Sequence, residues 1–152
     1  ALLTTGRDLD IAIQGQGWLT VQTEDGSEAF TRNGQLKLSD NGALETSSGD
    51  LVIGENGPIF LPLPVNNINI SADGTIMVQP EGAPSSVQEE VGRIKFVDPD
   101  NRFLEKGNDG LFRRKDDNIE PADVTVQVAS GALESSNVNP IGEMTDMIAL
   151  QR

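Results

Sequence analysis

Apolar and polar residues alternate from Asp8 to Gln14. Leu9, Ile11 and Ile13 point one way and Asp8, Asp10 and Gln14 the other, the period of a half-buried strand. Gly15 and Gly17 interrupt this run, and a second strand is predicted over 18–23, closed by Asp25-Gly26. "FTR", "QLKLS" and "ALET" read as the next three strands. Further short strands are predicted at 51–53, 58–61, 67–71, 75–79, 92–97, 111–114 and 124–129, with Asn56-Gly57, Asp73-Gly74 and Asp109-Gly110 as turns between them. Short β-prone runs separated by Gly-containing turns make an all-β pattern.

Turn length decides which side chains share a face. Asn-Gly occurs at Asn33-Gly34 and again at Asn41-Gly42. A three-residue loop, Arg32-Asn33-Gly34, sets Phe30 opposite Leu36, and the same loop at Asp40-Asn41-Gly42 sets Leu38 opposite Leu44. A two-residue loop at Asp25-Gly26 pairs Val21 with Phe30. These choices predict one buried face of Leu19, Val21, Phe30, Leu36, Leu38 and Leu44. Trp18 then falls on the far side, to be covered by another part of the molecule or by a partner. Glycines at 26, 34, 42, 49 and 57 recur at near-constant spacing, but "SEAFTRN", "QLKLSDN" and "ALETSS" share no motif. The spacing therefore reads as consecutive hairpins rather than a repeat solenoid. The architecture expected over 1–138 is a distorted, partly open β-barrel-like domain.

Residues 80–90, "PEGAPSSVQEE", read as the best loop or flexible segment. Beyond residue 138 the period changes. In "SNVNPIGEMTDMIALQR", Asn139 can cap a helix with Pro140 at its first position, and Ile141, Met144 and Ile148 follow at helical spacing. Residues 139–152 are thus predicted to be the start of an amphipathic C-terminal helix. Three isolated turns are marginal in water, so the helix is expected to pack on a longer helical partner. With no initiator Met at Ala1, the chain is expected to be a fragment of a longer protein.

The apolar fraction is 36% and the aromatic fraction 4%, which predicts a thin aliphatic core. Eleven basic against 24 acidic residues give a formal charge of −13, which would repel nucleic acid and anionic membrane surfaces. No apolar run approaches the roughly 18 residues of a membrane span. The chain has no Cys, His or Tyr, which removes disulfides, histidine bases, Ser-His-Asp and Cys-His nucleophiles and ordinary zinc sites. Carboxylate pairs remain conceivable for glycoside hydrolysis, with Asp98, Asp100, Asp116 and Asp117 the candidates, but acidic residues in such positions are more often turn formers. "DPDNRFLEKGNDG" opens like a calcium loop, yet Arg102 and Phe103 stand where a ligand and the turn glycine are required. Asn69-Ile70-Ser71 is a glycosylation sequon of low specificity. Trp18 could be a sugar platform, although a packed tryptophan is the more common outcome. No cofactor, metal or catalytic residue is expected; the competing reading is a secreted β-rich module binding calcium or carbohydrate.

Three segments together resemble the bacterial flagellar basal-body rod and hook family. They are "TGRDLDIAIQGQGWLTVQTEDGSEAFTRNGQLKLSDNGAL", "VGRIKFVDPDNRFLEKGNDGLFR" and "SGALESSNVNPIGEMTDMIALQR", in the family's order and covering nearly the whole chain. Gly131, Leu133, Glu134 and Ser136-Asn137-Val138 are the most specific part. Among the branches, "GW", "VIGENGPI" and "EMTDMI" look most like the proximal rod, with the distal rod second. The resemblance implies a structural protein without enzymatic activity, exported unfolded through the flagellar type III apparatus. It implies assembly with other rod subunits, through terminal helices, into the shaft that carries torque across the periplasm. Ile141, Met144, Met147 and Ile148 are the implied assembly contacts, and a piece without both terminal helices is expected to be monomeric.

Overall fold

The computed structural model describes residues 2–134. The predicted helix over 139–152, with Ile141, Met144, Met147 and Ile148, lies outside them. Among the described residues the regular elements are strands and a single 3-10 turn, Asn101–Phe103.

The principal sheet is built from β3 (Trp18–Gln22), β4 (Glu28–Thr31), β5 (Leu36–Leu38), β6 (Leu44–Thr46), β7 (Leu51–Gly54), β13 (Leu104–Lys106) and β14 (Phe112–Arg114), in the order β13-β14-β4-β3-β7-β6-β5. Two-residue strands extend it: β8 (Gly57–Pro58) pairs with β7, and β12 (Phe96–Val97) takes the Trp18–Leu19 part of β3. A second sheet has the order β11-β10-β9, from β9 (Val65–Ile70), β10 (Thr75–Pro80) and β11 (Glu89–Arg93). Two ribbons complete the fold. β2 (Ile11–Gln14) pairs with β15 (Gln127–Ser130), and β1 (Leu2–Thr4) pairs with β16 (Ala132–Glu134). The all-β reading holds. The sheet is open rather than closed into a barrel: β13 and β5 end its path without pairing to each other.

One core joins these layers. Leu19, Leu36, Leu44 and Val52 of the principal sheet pack with Ile70, Ile76 and Val78 of the second sheet and with Ile11, Ile13 and Val128 of the β2/β15 ribbon. It is almost wholly aliphatic, as the composition required, with Phe96 its aromatic member. β2 lies inside this arrangement, so Ile11, Ala12 and Ile13 are all buried and the expected alternation fails there. Even Asp10 is only 1% exposed.

One loop design recurs. In 23–27, 39–43, 46–50, 71–75 and 107–111 the first residue's N–H donates to the fifth residue's carbonyl, and the fourth residue is a Gly whose N–H donates back to the first residue's carbonyl. Gly26, Gly42, Gly49, Gly74 and Gly110 all have φ between +84° and +92°. This is the three-residue loop with a left-handed Gly. It puts Leu38 opposite Leu44, as predicted. It also replaces the two-residue loop predicted at Asp25-Gly26, so Val21 faces Ala29 and Phe30 faces Thr20. Phe30 is buried, but it lies on the other side of the sheet from Val21.

Asn33-Gly34 is not a hairpin turn. β4 pairs with β3 and β14 while β5 pairs with β6, so Phe30 meets Phe112 across the strands and Leu36 meets Thr46. Gly34 instead lets two backbones cross. Ile11 N–H donates to the Gly34 carbonyl at 2.9 Å, and a Cβ on Gly34 would overlap the Ile11 carbonyl oxygen. The predicted flexible stretch 80–90 shrinks to 81–88, because β10 includes Pro80 and β11 begins at Glu89. The Gln79 side chain holds this loop by donating to the Ala83 carbonyl at 2.9 Å.

Candidate assembly surface

Two of the four carboxylates considered for catalysis, Asp100 and Asp116, serve local structure. Asp100 caps the 3-10 turn by accepting from Arg102 N–H. Asp116 is gripped by Arg114 through two bonds of 2.8 and 2.6 Å, and this guanidinium, with the Asn118 N–H, holds its pKa down at about 2. A general acid needs the opposite shift. The calcium-like stretch is consumed by the capped turn, by β13 and by the loop 107–111. The sequon lies inside paired β9, where Asn69 faces Met77. Trp18 is covered from within the molecule: its ring lies 4.6 Å from that of Phe112, tilted by 44°. Packing in the domain, rather than a free sugar platform, is therefore its role.

An open groove of about 670 Å³ runs between residues 15–18 and 98–101, with Arg32 in its lining. Arg32 offers it little, because its donors are already engaged. Nη1 donates to the carbonyls of Gly15 (2.8 Å) and Gly17 (2.9 Å), and Nη2 to that of Ile13 (3.4 Å). Nε and Nη2 donate to the two carboxylate oxygens of Glu134 at 3.1 and 2.6 Å. A guanidinium has five N–H groups, and these contacts use all of them. Neither groove nor guanidinium presents a reactive centre.

The arrangement at the two ends of the described chain is more distinctive. β1 and β16 pair with Leu2 opposite Glu134, Leu3 opposite Leu133 and Thr4 opposite Ala132. The β2/β15 ribbon continues this one, and the two meet where residues 5–10 bulge out opposite Gly131. Gly131 is left-handed at φ +73°, and its carbonyl accepts from Thr5 and Gly6 N–H at 2.8 and 3.0 Å. Asp10 fills the bulge. Its side chain is 2% exposed, pairs with Arg7 and accepts from the Thr5 hydroxyl at 2.7 Å. Arg7 reaches on to the Leu36 carbonyl at 3.1 Å, tying the bulge to the principal sheet. Leu2 and Leu3, 49% and 59% exposed, lie on this ribbon.

The residues implied as assembly contacts, Ile141, Met144, Met147 and Ile148, lie outside the described residues. What sequence reasoning missed are two contacts, Arg7 with Asp10 and Arg32 with Glu134. The residue pattern alone puts Asp10 on the polar side of an alternating strand and Arg32 in a hairpin loop. The readable hint was that Arg32 and Glu134 both sit inside the segments that carry the family resemblance.

Residues 12–78 match the family model for the flagellar hook protein FlgE/F/G D1 domain, and residues 129–152 match that for the C-terminal region of flagellar basal body rod FlgEFG proteins. The chain is 45% identical over 154 residues to the flagellar basal-body rod protein FlgF of Escherichia coli (strain K12), covering 97% of this chain and 61% of that protein. Identity to FlgF of Salmonella typhimurium is 43% over 154 residues, with the same 97% and 61% coverage. Flagellar basal-body rod protein FlgG of Buchnera aphidicola subsp. Acyrthosiphon pisum is 35% identical over 158 residues, with 99% and 59% covered. The chain thus spans about three fifths of the length of these relatives. Two models of one family match in sequence order, and proteins named for the rod match from end to end of the chain: it belongs to the family of flagellar basal-body rod and hook proteins.

Proposed function

We propose that the chain is the β body and C-terminal segment of a structural subunit of the flagellar basal-body rod, of the proximal type. In this reading it assembles with other rod subunits into the torque-bearing shaft, catalyses nothing and needs no cofactor. The observation that carries the proposal is the pairing of β1 with β16. It makes the polypeptide enter and leave the body side by side, which suits a lateral block hung on a pair of terminal segments. The likeness to proteins named FlgF supports the proximal assignment over the distal one.

Axial contacts are assigned to the segment from Ile141, with Met144, Met147 and Ile148 as the buried side chains, spaced as on one side of a helix. The body without its terminal partners is expected to be monomeric. The test is to truncate the full-length protein before Ile141 in the cell. The expected result is loss of swimming and of rod assembly, with the purified body still giving a cooperative melt. Cells that swim normally with this truncation would overturn the proposal.

A further inference from the structure

We infer that Arg32 and Glu134 form a clasp that fixes the direction in which the β1/β16 ribbon leaves the body. β1 is three residues long and so is β16, and all of β1 is exposed. So short a two-stranded ribbon is marginally stable by itself, and of its residues only Ala132, at the inner end, is buried, which leaves its outer end little to hold one angle. At its inner end it joins the body through the bulge 5–10, where left-handed Gly6 and Gly131, at φ +77° and +73°, provide a natural pivot. At its outer end the Glu134 side chain reaches back to Arg32, which leads out of β4.

The chemistry of that contact is suited to orientation. The carboxylate is held by two parallel bonds from one edge of the guanidinium, so its plane as well as its position is set. The remaining N–H groups grip the carbonyls of Ile13, Gly15 and Gly17, so the guanidinium cannot swing to follow a moving ribbon. Arg32 and Glu134 are 27% and 41% exposed, so as an ion pair they contribute little to folding. The value of the contact lies in geometry. Lysine keeps the charge but cannot make the fork or the three carbonyl bonds together. Arg32 and Glu134 are accordingly positioning residues. Asp10 and Arg7 secure the pivot, and the clasp sets the angle.

The inference about the angle stands without the rod assignment; only its consequence for a shaft rests on that reading. The chain has no Cys, so spin labels can be placed at engineered cysteines, Leu3→Cys on the ribbon and Lys37→Cys at the exposed position of β5. Of β5 only Lys37 is exposed, and distances between it and position 3 are measured in the otherwise native protein and with Glu134→Gln or Arg32→Lys. The expected result is a narrow distribution in the parent and a broadened, shifted one in each variant, with the midpoint of thermal unfolding little changed. Glu134→Gln leaves the three carbonyl bonds of Arg32 in place, so it keeps the body folded if Arg32→Lys does not. A distribution in Glu134→Gln that matches the parent overturns the clasp. In cells, the same substitution in the full-length protein is expected to reduce swimming. Normal swimming together with a broadened distribution would refute the importance of the angle for the shaft, while the truncation before Ile141 separately tests whether the protein is a rod subunit at all.

Discussion

In the loop 71–75 the Asp73 carboxylate accepts from the Ser71 hydroxyl at 2.5 Å and from the Thr75 N–H at 3.0 Å, and these bonds hold its pKa down at about 2. Asp109 is held at about 2 by Arg113 and the Leu111 N–H, and Asp25 lower still by the Ser27 and Thr23 hydroxyls. A carboxylate whose pKa falls on folding adds stability that is complete above its unfolded pKa, near 3.8, and is lost as pH drops toward the folded value. The window is therefore about pH 4 to 2. Asn41 already fills the same place in the loop 39–43, accepting from the Ser39 hydroxyl and from Ala43 N–H. Replacing Asp25, Asp73 and Asp109 together by Asn should thus leave the fold intact at neutral pH and flatten the fall in melting temperature between pH 4 and 2. Parallel curves for parent and variant would contradict this. Much at this scale could be read from the sequence, because the Gly in such a loop acts through its own φ. Asp10 could not, since its burial is imposed by residues far along the chain, notably Gly131 and Leu36.

Between residues and whole molecule, the decisive events are strand pairings. The hairpin 39–43 was legible because its two strands have no stronger partner than each other. The pairing of β4 with β5 looked equally good locally, yet the free edge of β4 is taken by β14, with Phe112 opposite Phe30. A turn signal says where a chain can reverse, not which edges remain available afterwards. Gly34 serves the crossing that results. Gly34→Ala, which forces a Cβ into the Ile11 carbonyl oxygen, should cost more than about 3 kcal/mol in denaturant unfolding, at the large end for a single substitution. Gly92→Ala has open space at its Cβ and should cost much less. β14 can be tested in turn. Phe112 is half-buried and covers the lone tryptophan, so Phe112→Ala should remove about 1–3 kcal/mol, somewhat less than for a fully buried Phe. It should also shift Trp18 emission to the red as water reaches the indole. Unchanged emission would mean that something other than Phe112 covers Trp18.

For the molecule as a whole, the sequence announced an all-β protein with an aliphatic core, and the architecture follows. It could not announce that three layers share that core, because the join is made by residues as distant as Ile11, Ile76 and Val128. Nor could it show that the ends of the body meet. With Leu2 paired to Glu134, the points where the polypeptide enters and leaves lie one strand spacing apart, roughly 5 Å. To the chain on either side, the body is then equivalent to a hairpin turn. Such a unit can be excised and the gap closed with two residues, or exchanged for a different β body, without altering the course of what lies beyond. Under the proposed rod assignment, subunits built this way differ in girth and in the surface they turn outward while keeping the same axial contacts.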